Sequence, residues 1–371
     1  MSKTKNCHYI PRVYLMSWKK ANSNYNINVY DKEKKQIVKN GLNIKNNFFI
    51  KDLYNYKLFD DSQTTKYEKE IRADIIKKIS EFETDNDVEI YYNGKQLKYF
   101  EDNNYIFITQ VDNIEFKKKS TNIMCCNKEK KGYISELKKI KSTFIEDSLN
   151  KNVEDNWNKV LDLLKKDCTN FEDNPNLKSI TIESTYINWL KNMAKLMIYR
   201  IPNTPGYKTH NNRIESACSA MKSILAKPIY SDETADNETY IQKMCAPVDN
   251  FPSYYLKKNV YDILNGNSVY ASDFFKDSLI YEIFIIKDET DLEFYTSDVP
   301  CFVVNNKFEA SNKNNAIYFP ITDKILLRMK RNRQLVDKIN FYKAYNDDVR
   351  YFNNLIYNNA NKYIIFKGQW R

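Results

Sequence analysis

The sequence is poor in several residue types, and each scarcity excludes a class of protein. The 371 residues include only six Gly and nine Pro, which excludes collagen and low-complexity linker proteins. Two His residues are too few for a histidine-rich metal site. The seven Cys residues are odd in number and form no CxxC pair, so we expect free thiols instead of a disulfide framework or zinc ribbon.

Long apolar runs and familiar cofactor motifs are also missing. No run of about 18 uncharged apolar residues occurs, so no membrane association is predicted. The first residues, MSKTKNCHYIPR, have no apolar region of the kind found in secretory signals, so we expect a cytoplasmic protein. The absence of GxGxxG, P-loop, HExxH, GxSxG and kinase motifs removes the common nucleotide, flavin and hydrolase templates.

Positive charge is present in excess. Lys and Arg number 58 against 48 Asp and Glu, for a net charge of +10. Clustered cations neutralise phosphates and release counterions, so nucleic acid is one candidate partner. Only nine of the 58 are Arg, and AT-rich coding by itself favours Lys, Asn, Ile and Tyr. The alternative interpretation is therefore a solvated Lys-rich surface interspersed with acidic residues.

Length and pattern predict an α+β fold in three segments. At roughly 150 residues per domain, the chain corresponds to two domains, or to one large domain with insertions. We expect residues 1–84 to form the N-terminal part of the core and residues 85–175 to be an insertion or small subdomain. Residues 176–371 are expected to supply the helical and sheet part of the core.

Local patterns predict individual elements in the first half of the chain. Two runs, Tyr25–Tyr30 and Gln36–Val38, flank a charged turn and predict a hairpin. Apolar residues at four- and three-residue steps predict an amphipathic helix over 65–82. Asn93-Gly94 lies between two aromatic runs and predicts a second hairpin, followed by a strand at Tyr105–Val111.

The middle of the chain is helical in pattern and the C-terminal part is strand-like. Helices are predicted at 134–149, 153–164, 181–200, 212–226, 238–245 and 254–264. Three apolar, β-branched runs follow at 279–287, 293–304 and 317–330. Their short connections predict one antiparallel sheet. A last helix at 347–361 and the N-terminal HYIPR segment are expected to cover this sheet, before a final extended YIIF.

Polar residues near the start form the first candidate site. His8, Tyr9 and Arg12 lie just ahead of, or inside, a short helix that Pro11 can begin. A histidine can act as a general base and a guanidinium can bind an anion. The alternative is that the histidine is a packed ring or a helix cap.

Further candidates lie in buried or terminal positions. Ser297 and Asp298 interrupt an apolar run before Pro300, and a charge there must be paired, metal-bound or catalytic. The alternative is a strand-end Asx turn that caps backbone NH groups. Arg200 ends a long apolar helix, where a cation either serves a site or satisfies the last carbonyls. The Arg cluster RMKRNR (328–333) either contacts phosphate or blocks pairing at a strand edge.

Four motifs occur in order along the chain. They are His8-Tyr9-Ile10-Pro11-Arg12 with Tyr14-Leu15, Arg200-Ile201-Pro202, Thr296-Ser297-Asp298-Val299-Pro300 with Tyr318-Phe319-Pro320-Ile321, and Val349 to Tyr363 with Asn353 and Ala360. In this order they resemble the HYxPRxYL, RTP, TSDNP and LN…A motifs of the domain of unknown function 4238 family, which is widespread in bacteria. The resemblance supplies no established activity. It implies that the polar motif residues converge in the fold: His8, Arg12, Arg200, Asp298 and Asn353.

The leading hypothesis is a metal-dependent phosphodiesterase or nuclease acting on nucleic acid or a nucleotide, a hydrolase of bacterial antiphage defence or mobile elements. In it, Asp298 with Glu68 or Glu282 holds Mg²⁺ or Mn²⁺, and His8 transfers a proton. Two cations, Arg12 and Arg200, stabilise the phosphate charge. The substrate-binding candidates are Tyr9, Ser297 and Asn353.

The alternative hypothesis is a non-enzymatic basic nucleic-acid-binding or regulatory module in which the motifs are structural. There, His8 and Arg12 donate hydrogen bonds to a buried Asp298. Accessibility separates the two hypotheses: a catalytic Asp298 lines an open pocket, whereas a structural one is buried and hydrogen-bonded.

Overall fold

The computed structural model describes residues 6–51, 56–57, 69–92, 94–96, 114–173, 184–200, 260, 275, 278–286, 291–304, 316–332 and 338–370. These residues form an α+β fold, as predicted. None of their helices has the length and apolar character needed to cross a membrane. The chain divides into two compact units, and the predicted division into three segments stays a prediction. Unit 1 comprises Met1–Cys7, Lys51–Ser148 and Ile214–Lys258, and unit 2 comprises His8–Ile50, Leu149–Arg213 and Asn259–Arg371.

The described residues contain the following helices and strands. The α-helices are α1 (Arg12–Leu15), α2 (Lys69–Asp85), α3 (Asn127–Leu137), α4 (Phe144–Leu149), α5 (Trp157–Asp173), α6 (Ser184–Arg200) and α7 (Asn346–Asn359). The strands are β1 (Asn6–His8), β2 (Asn26–Asp31), β3 (Gln36–Ile37), β4 (Leu42–Asn43), β5 (Phe49–Lys51), β6 (Tyr56–Lys57), β7 (Val88–Tyr92), β8 (Lys95–Gln96), β9 (Ile114–Lys118), β10 (Lys141–Ser142), β11 (Leu279–Ile286), β12 (Thr296–Ser297), β13 (Phe302–Val304), β14 (Ala316–Pro320), β15 (Ile325–Arg331), β16 (Lys338–Ala344) and β17 (Tyr363–Phe366).

In unit 1, a three-stranded sheet packs against helices α2 and α3. The predicted Asn93-Gly94 hairpin is confirmed as β7 and β8, and β9 pairs along the other edge of β7. Phe116 of β9 contacts the rings of Phe82 and Tyr133, with centroids 6.4 and 5.2 Å away. The buried stripe of α2, which is described from Lys69 to Asp85, confirms the predicted amphipathic helix, and the predicted positions 65–68 lie outside the described residues. The predicted strand 105–111 lies outside the described residues.

The helix predicted at 134–149 is wrong in its continuity. Helix α3 ends at Leu137, and residues 141–142 pair with β6 before α4 begins. Asp74 of α2 accepts hydrogen bonds from Ser142 Oγ (2.7 Å) and from the backbone NH of Thr143 (3.2 Å). These tertiary hydrogen bonds hold residues 142 and 143 away from helical geometry, which a periodic apolar pattern cannot reveal.

Unit 2 contains two sheets, with strand orders β13-β14-β15-β11-β16 and β12-β17-β2-β3. The first sheet is mixed, because β16 runs parallel to β11 while the other pairs are antiparallel. The strands from the three predicted runs pair antiparallel in this sheet, as predicted, whereas β16 was not predicted from the sequence. Both edges of β15 are occupied by β14 and β11, so the returning chain pairs with the free edge of β11.

The apolar run 293–304 also differs from its prediction as one strand. Its first part, β12, belongs to the second sheet, and its last part, β13, belongs to the first sheet. The turn containing Asp298 and Pro300 connects them. The run 317–330 likewise forms two strands, β14 and β15, which pair as a hairpin. Hydrophobicity identified these segments as buried without indicating how many strands each contains.

The last helix and the N-terminal segment pack on the sheets as predicted. Helix α7 buries Val349, Phe352 and Ile356 in one apolar cluster with residues of β11, β13, β14 and β17. In α1, the ring of Tyr14 stacks on Phe319 of β14 with centroids 5.5 Å apart. The predicted hairpin at 25–38 is confirmed as β2 and β3. Helices predicted at 212–226 and 238–245, and all of 254–264 except residue 260, lie outside the described residues.

Candidate functional site

The first motif and the TSDVP motif meet in the core of unit 2. The hydroxyl of Tyr14 donates to the carbonyl of Pro320 at 2.8 Å and lies 2.6 Å from Thr296 Oγ1. Because the single hydroxyl proton of Tyr14 goes to the carbonyl, Thr296 donates its own proton to Tyr14. Trp18 Nε1 donates to the carbonyl of Phe294 at 3.0 Å. Helix α1 and the 3-10 turn Met16–Trp18 after it are thus hydrogen-bonded to the segment that precedes Asp298.

Asp298 is buried, and both of its carboxylate oxygens accept backbone hydrogen bonds. The exposed fraction of the residue is 9%. Oδ1 accepts from the NH of Asn361 at 3.0 Å and Oδ2 from the NH of Lys362 at 2.9 Å. Burial raises the pKa of Asp298, against the opposing effects of these NH groups and of Lys32. The carboxylate therefore caps backbone NH groups, as the alternative interpretation held, but they belong to the segment after α7.

Ser297 makes its hydrogen bonds locally. Its Oγ donates to the carbonyl of Val299 at 2.9 Å and accepts from the NH of the same residue at 3.0 Å. The side chain is fully buried. This serine therefore forms the turn that orients the carboxylate of Asp298.

Lys32 belongs to this arrangement and was not predicted from the sequence. Its Nζ donates to the carbonyls of Tyr357 and Ala360, at 2.6 and 2.7 Å, at the end of α7. A cation there satisfies carbonyls that the helix leaves without partners. Burial lowers the pKa of Lys32, and the negative charge of Asp298 opposes this change. In the sequence it lies in an ordinary charged turn, which gives no signal of this role.

Asn353 connects α7 to the segment before β12. Its Oδ1 accepts from the NH of Tyr295 and its Nδ2 donates to the carbonyl of Glu293, both at 2.9 Å. The amide is therefore bound at both ends by backbone groups. An asparagine is suited to this position because it offers one acceptor and one donor side by side.

His8, Tyr9 and Arg12 lie close together in the chain but in different environments. His8 is buried, with its ring 5.6 Å from the ring of Phe49. Burial raises the pKa of Tyr9 to about 12, with a further contribution from the nearby charge of Asp298. The guanidinium of Arg12 faces the ring of Tyr25. The structure thus brings Tyr9 near Asp298, whereas the hydrogen bonds expected from His8 and Arg12 are made instead by backbone NH groups.

Glu282 lies in the other sheet of unit 2. It is opposite Arg328 across β11 and β15, forms an ion pair with that residue and lies 3.0 Å from Lys330. The strand that carries RMKRNR is internal, so its interpretation as a protected edge is wrong. Arg328 instead neutralises a buried carboxylate.

The metal site stays a prediction. In the part of the chain that the structure describes, no group of three or more His, Cys, Asp or Glu side chains is placed to hold a metal ion. Glu68 and the side chain of Arg200 lie outside the described residues. Of the three predicted metal ligands, the structure therefore describes only Asp298 and Glu282. Asp298 accepts backbone hydrogen bonds, and Glu282 forms an ion pair with Arg328.

A basic surface in unit 1 is the second candidate site. Between residues 114 and 141 the chain has nine Lys against three Glu. One of these, Glu129, is paired with Lys118 at 2.7 Å. That pairing, with hydrogen bonds at Cys126, lowers the pKa of Glu129 to about 2. We name four exposed lysines the lysine face: Lys119 directly after β9, Lys128 and Lys131 in α3, and Lys138 at the C-terminal end of α3.

Apolar side chains are exposed beside the lysine face. Ile123 and Met124 have exposed fractions of 65% and 46%. They lie in the turn between β9 and α3. In this turn the NH of Cys125 donates a hydrogen bond to the carbonyl of Phe116 at 2.7 Å. The local charge count was available in the sequence, but only the fold packs α3 against β9, through Tyr133 and Phe116.

Comparison with known proteins identifies the family. Residues 6–369 match the family described as Protein of unknown function (DUF4238). No curated protein and no solved structure matches the chain. The matched range contains all four sequence motifs and nearly the whole chain. The chain therefore belongs to the DUF4238 family.

Proposed function

We propose that this protein is a non-enzymatic nucleic-acid-binding module that contacts the phosphate backbone through the lysine face. The observation that carries the proposal is the excess of nine Lys over three Glu in residues 114–141, with four exposed lysines directly after β9, in α3 and at the end of α3. Lysine is a point charge on a flexible chain, which suits phosphate contacts and gives little base specificity.

The geometry of the motifs supports a structural role for them. Asp298 uses both oxygens on backbone NH groups, and Asn353 uses both ends of its amide on backbone groups. Ser297 is fully buried and bonds to its own turn. A residue that binds substrate needs a polar atom facing an accessible space, and these groups are already bound within the protein.

Helix geometry supports the lysine face as one surface. Lys128 and Lys131 are three residues apart on one side of α3, and the C-cap Lys138 follows seven residues after Lys131, two helical turns further along the same side. The opposite side of that helix packs inward through Leu137 and Tyr133. Their positive charges therefore raise the electrostatic potential over one surface, and this potential attracts a polyanion.

The test measures binding of labelled single- and double-stranded DNA and RNA by fluorescence anisotropy over a range of salt concentrations. In the triple variant Lys119→Gln, Lys128→Gln and Lys131→Gln, we expect weaker binding to every sequence. The slope of log K against log salt should fall by about 2 to 3, because each lost duplex contact removes about 0.9 and each lost single-strand contact about 0.7.

The matched control replaces three exposed lysines of α5 with Gln: Lys159, Lys165 and Lys166. It makes the same change in net charge, so an equal loss of affinity would show that total charge, and not the lysine face, drives binding. Addition of Mg²⁺ or Mn²⁺ tests the enzymatic alternative. Metal-dependent cleavage that Asp298→Ala or His8→Ala abolishes without lowering the melting temperature would contradict the proposal and favour a phosphodiesterase or nuclease.

A further inference from the structure

The N-terminal part of unit 2 carries cations without carboxylate partners. The chain has no Asp or Glu in residues 8–30 or 36–50. Among the residues that the structure describes, none of the five cations in these ranges forms an ion pair: Arg12, Lys19, Lys20, Lys39 and Lys45. By contrast, Lys118 and Lys330 in other parts of the chain are paired with Glu.

Two of these cations converge on one aromatic ring. The guanidinium carbon of Arg12 lies 5.8 Å, and Nζ of Lys45 lies 3.6 Å, from the ring centroid of Tyr25. Helix α1 packs against the 3-10 turn Ile44–Asn46, and the NH of Ile44 donates to the carbonyl of Tyr25 at 2.8 Å. Backbone contacts therefore hold both cations beside the same ring.

The chemistry of this pair is that of an anion site. Arg12 is half-buried, and within the described residues its guanidinium has the ring as its contact and no hydrogen-bond acceptor. Guanidinium carries five donors in a planar fork that matches the oxygens of phosphate. Two like charges beside one ring repel each other, and a bound dianion relieves this repulsion. Within the described residues neither cation forms an ion pair with a carboxylate, so their donors are available to a ligand.

We propose that Arg12 and Lys45 bind the phosphate group of a phosphate ester beside the ring of Tyr25. Arg12 supplies a bidentate contact, Lys45 supplies a second charge, and the ring of Tyr25 keeps both cations in place. This site lies in unit 2 and takes a small ligand, so it is independent of the lysine face of unit 1.

The experiment uses the full chain and isothermal titration calorimetry with AMP, glycerol 3-phosphate, inorganic phosphate and acetate at constant ionic strength. We expect the three phosphate compounds to bind and acetate not to bind. Arg12→Gln and Lys45→Gln should each weaken AMP binding by about tenfold, which is the usual effect of losing one charge-assisted hydrogen bond. Lys39→Gln, an exposed cation of the same segment, should leave the affinity unchanged.

Several outcomes would overturn the proposal. Equal binding of acetate and phosphate, or unchanged AMP affinity in Lys45→Gln, would exclude a phosphate site here. Lys45 is exposed, so its variant keeps the test valid even if Arg12→Gln does not fold.

The comparison of ligands shows which part of the ester is recognised. Tighter binding of AMP than of glycerol 3-phosphate would assign the phosphate to a nucleotide, and equal affinities would make the phosphate group itself the recognised feature. The Gln variants of the lysine face should bind AMP normally, so a failure here is distinguishable from a failure of the proposed function.

Discussion

Single residues in unit 2 make hydrogen bonds that join segments far apart in the sequence. Tyr14 bonds to Thr296 and to the carbonyl of Pro320, and Asp298 bonds to NH groups at residues 361 and 362. The side chains of Tyr14, Thr296 and Asp298 are buried. A buried polar group that loses its partner costs about 1–3 kcal/mol, so each of these side chains is expected to matter for stability.

The pH dependence of stability tests the burial of Asp298. Burial raises its pKa above the usual 3.8, so the folded protein holds this proton more tightly than the unfolded chain does. The free energy of unfolding contributed by this group is therefore greatest below pH 3.8 and falls as pH rises through the raised pKa. Asp298→Asn cannot titrate, so its unfolding free energy should lack this decline.

Urea denaturation of both proteins between pH 4 and 7 measures the difference. Asp162→Asn on the exposed side of α5 is the control and should follow the wild type at every pH. Parallel pH profiles for wild type and Asp298→Asn would show that the carboxylate is not desolvated in the folded protein.

At the scale of elements, helix α7 is fixed by polar contacts as well as by its apolar face. Val349, Phe352 and Ile356 bury one side of the helix. Asn353 bonds to the strand segment before β12, and Lys32 caps the last carbonyls of the helix. The apolar stripe determines which side faces inward, whereas the hydrogen bonds determine the position of the helix along the sheets.

Replacing Asn353 with Ala is expected to destabilise unit 2 by about 1–3 kcal/mol, because the NH of Tyr295 and the carbonyl of Glu293 lose their partner. Chemical denaturation measures this change. Asn354→Ala removes the same amide from the exposed neighbouring position and should change the unfolding free energy by less than about 0.5 kcal/mol. Equal effects of the two substitutions would indicate a helix-propensity effect and not the loss of a contact.

At the scale of the whole molecule, unit 2 is assembled from both ends of the chain. Strand β17 pairs with β2 on one edge and with β12 on the other. Residues 28–31 thus meet residues 363–366, and Ile364 and Ile365 are fully buried. Pairings between such distant segments are slow to form. The chain loses conformational entropy when it closes the long loop, before the stabilising contacts between the segments are made.

A chain that ends at Lys362 should therefore fail to form the core of unit 2. It lacks β17, which is the internal strand between β12 and β2. A chain that ends at Phe366 keeps this strand and is expected to fold. Near-ultraviolet circular dichroism and dispersion of amide NMR signals compare the two. Native-like spectra from the shorter chain would contradict the assigned strand order.

The sequence by itself determined the local structure and the family of this protein. Periodic apolar residues specified α2 and α7, the Asn93-Gly94 turn specified a hairpin, and the ordered motifs identified the family. These features depend on neighbouring residues, whose spacing is fixed by the geometry of a helix or a turn. The overall positive charge was equally visible in the composition.

Only the tertiary structure decided which elements pair and what the polar motif residues contact. Asp298 was identified as unusual, but its partners lie after α7, and Lys32 gave no signal at all. The parallel position of β16 followed from both edges of β15 being occupied. An apolar pattern predicts that one side of a segment is buried, but it does not predict which other segment packs against that side. That choice depends on chain topology and on hydrogen bonds between residues far apart in the sequence.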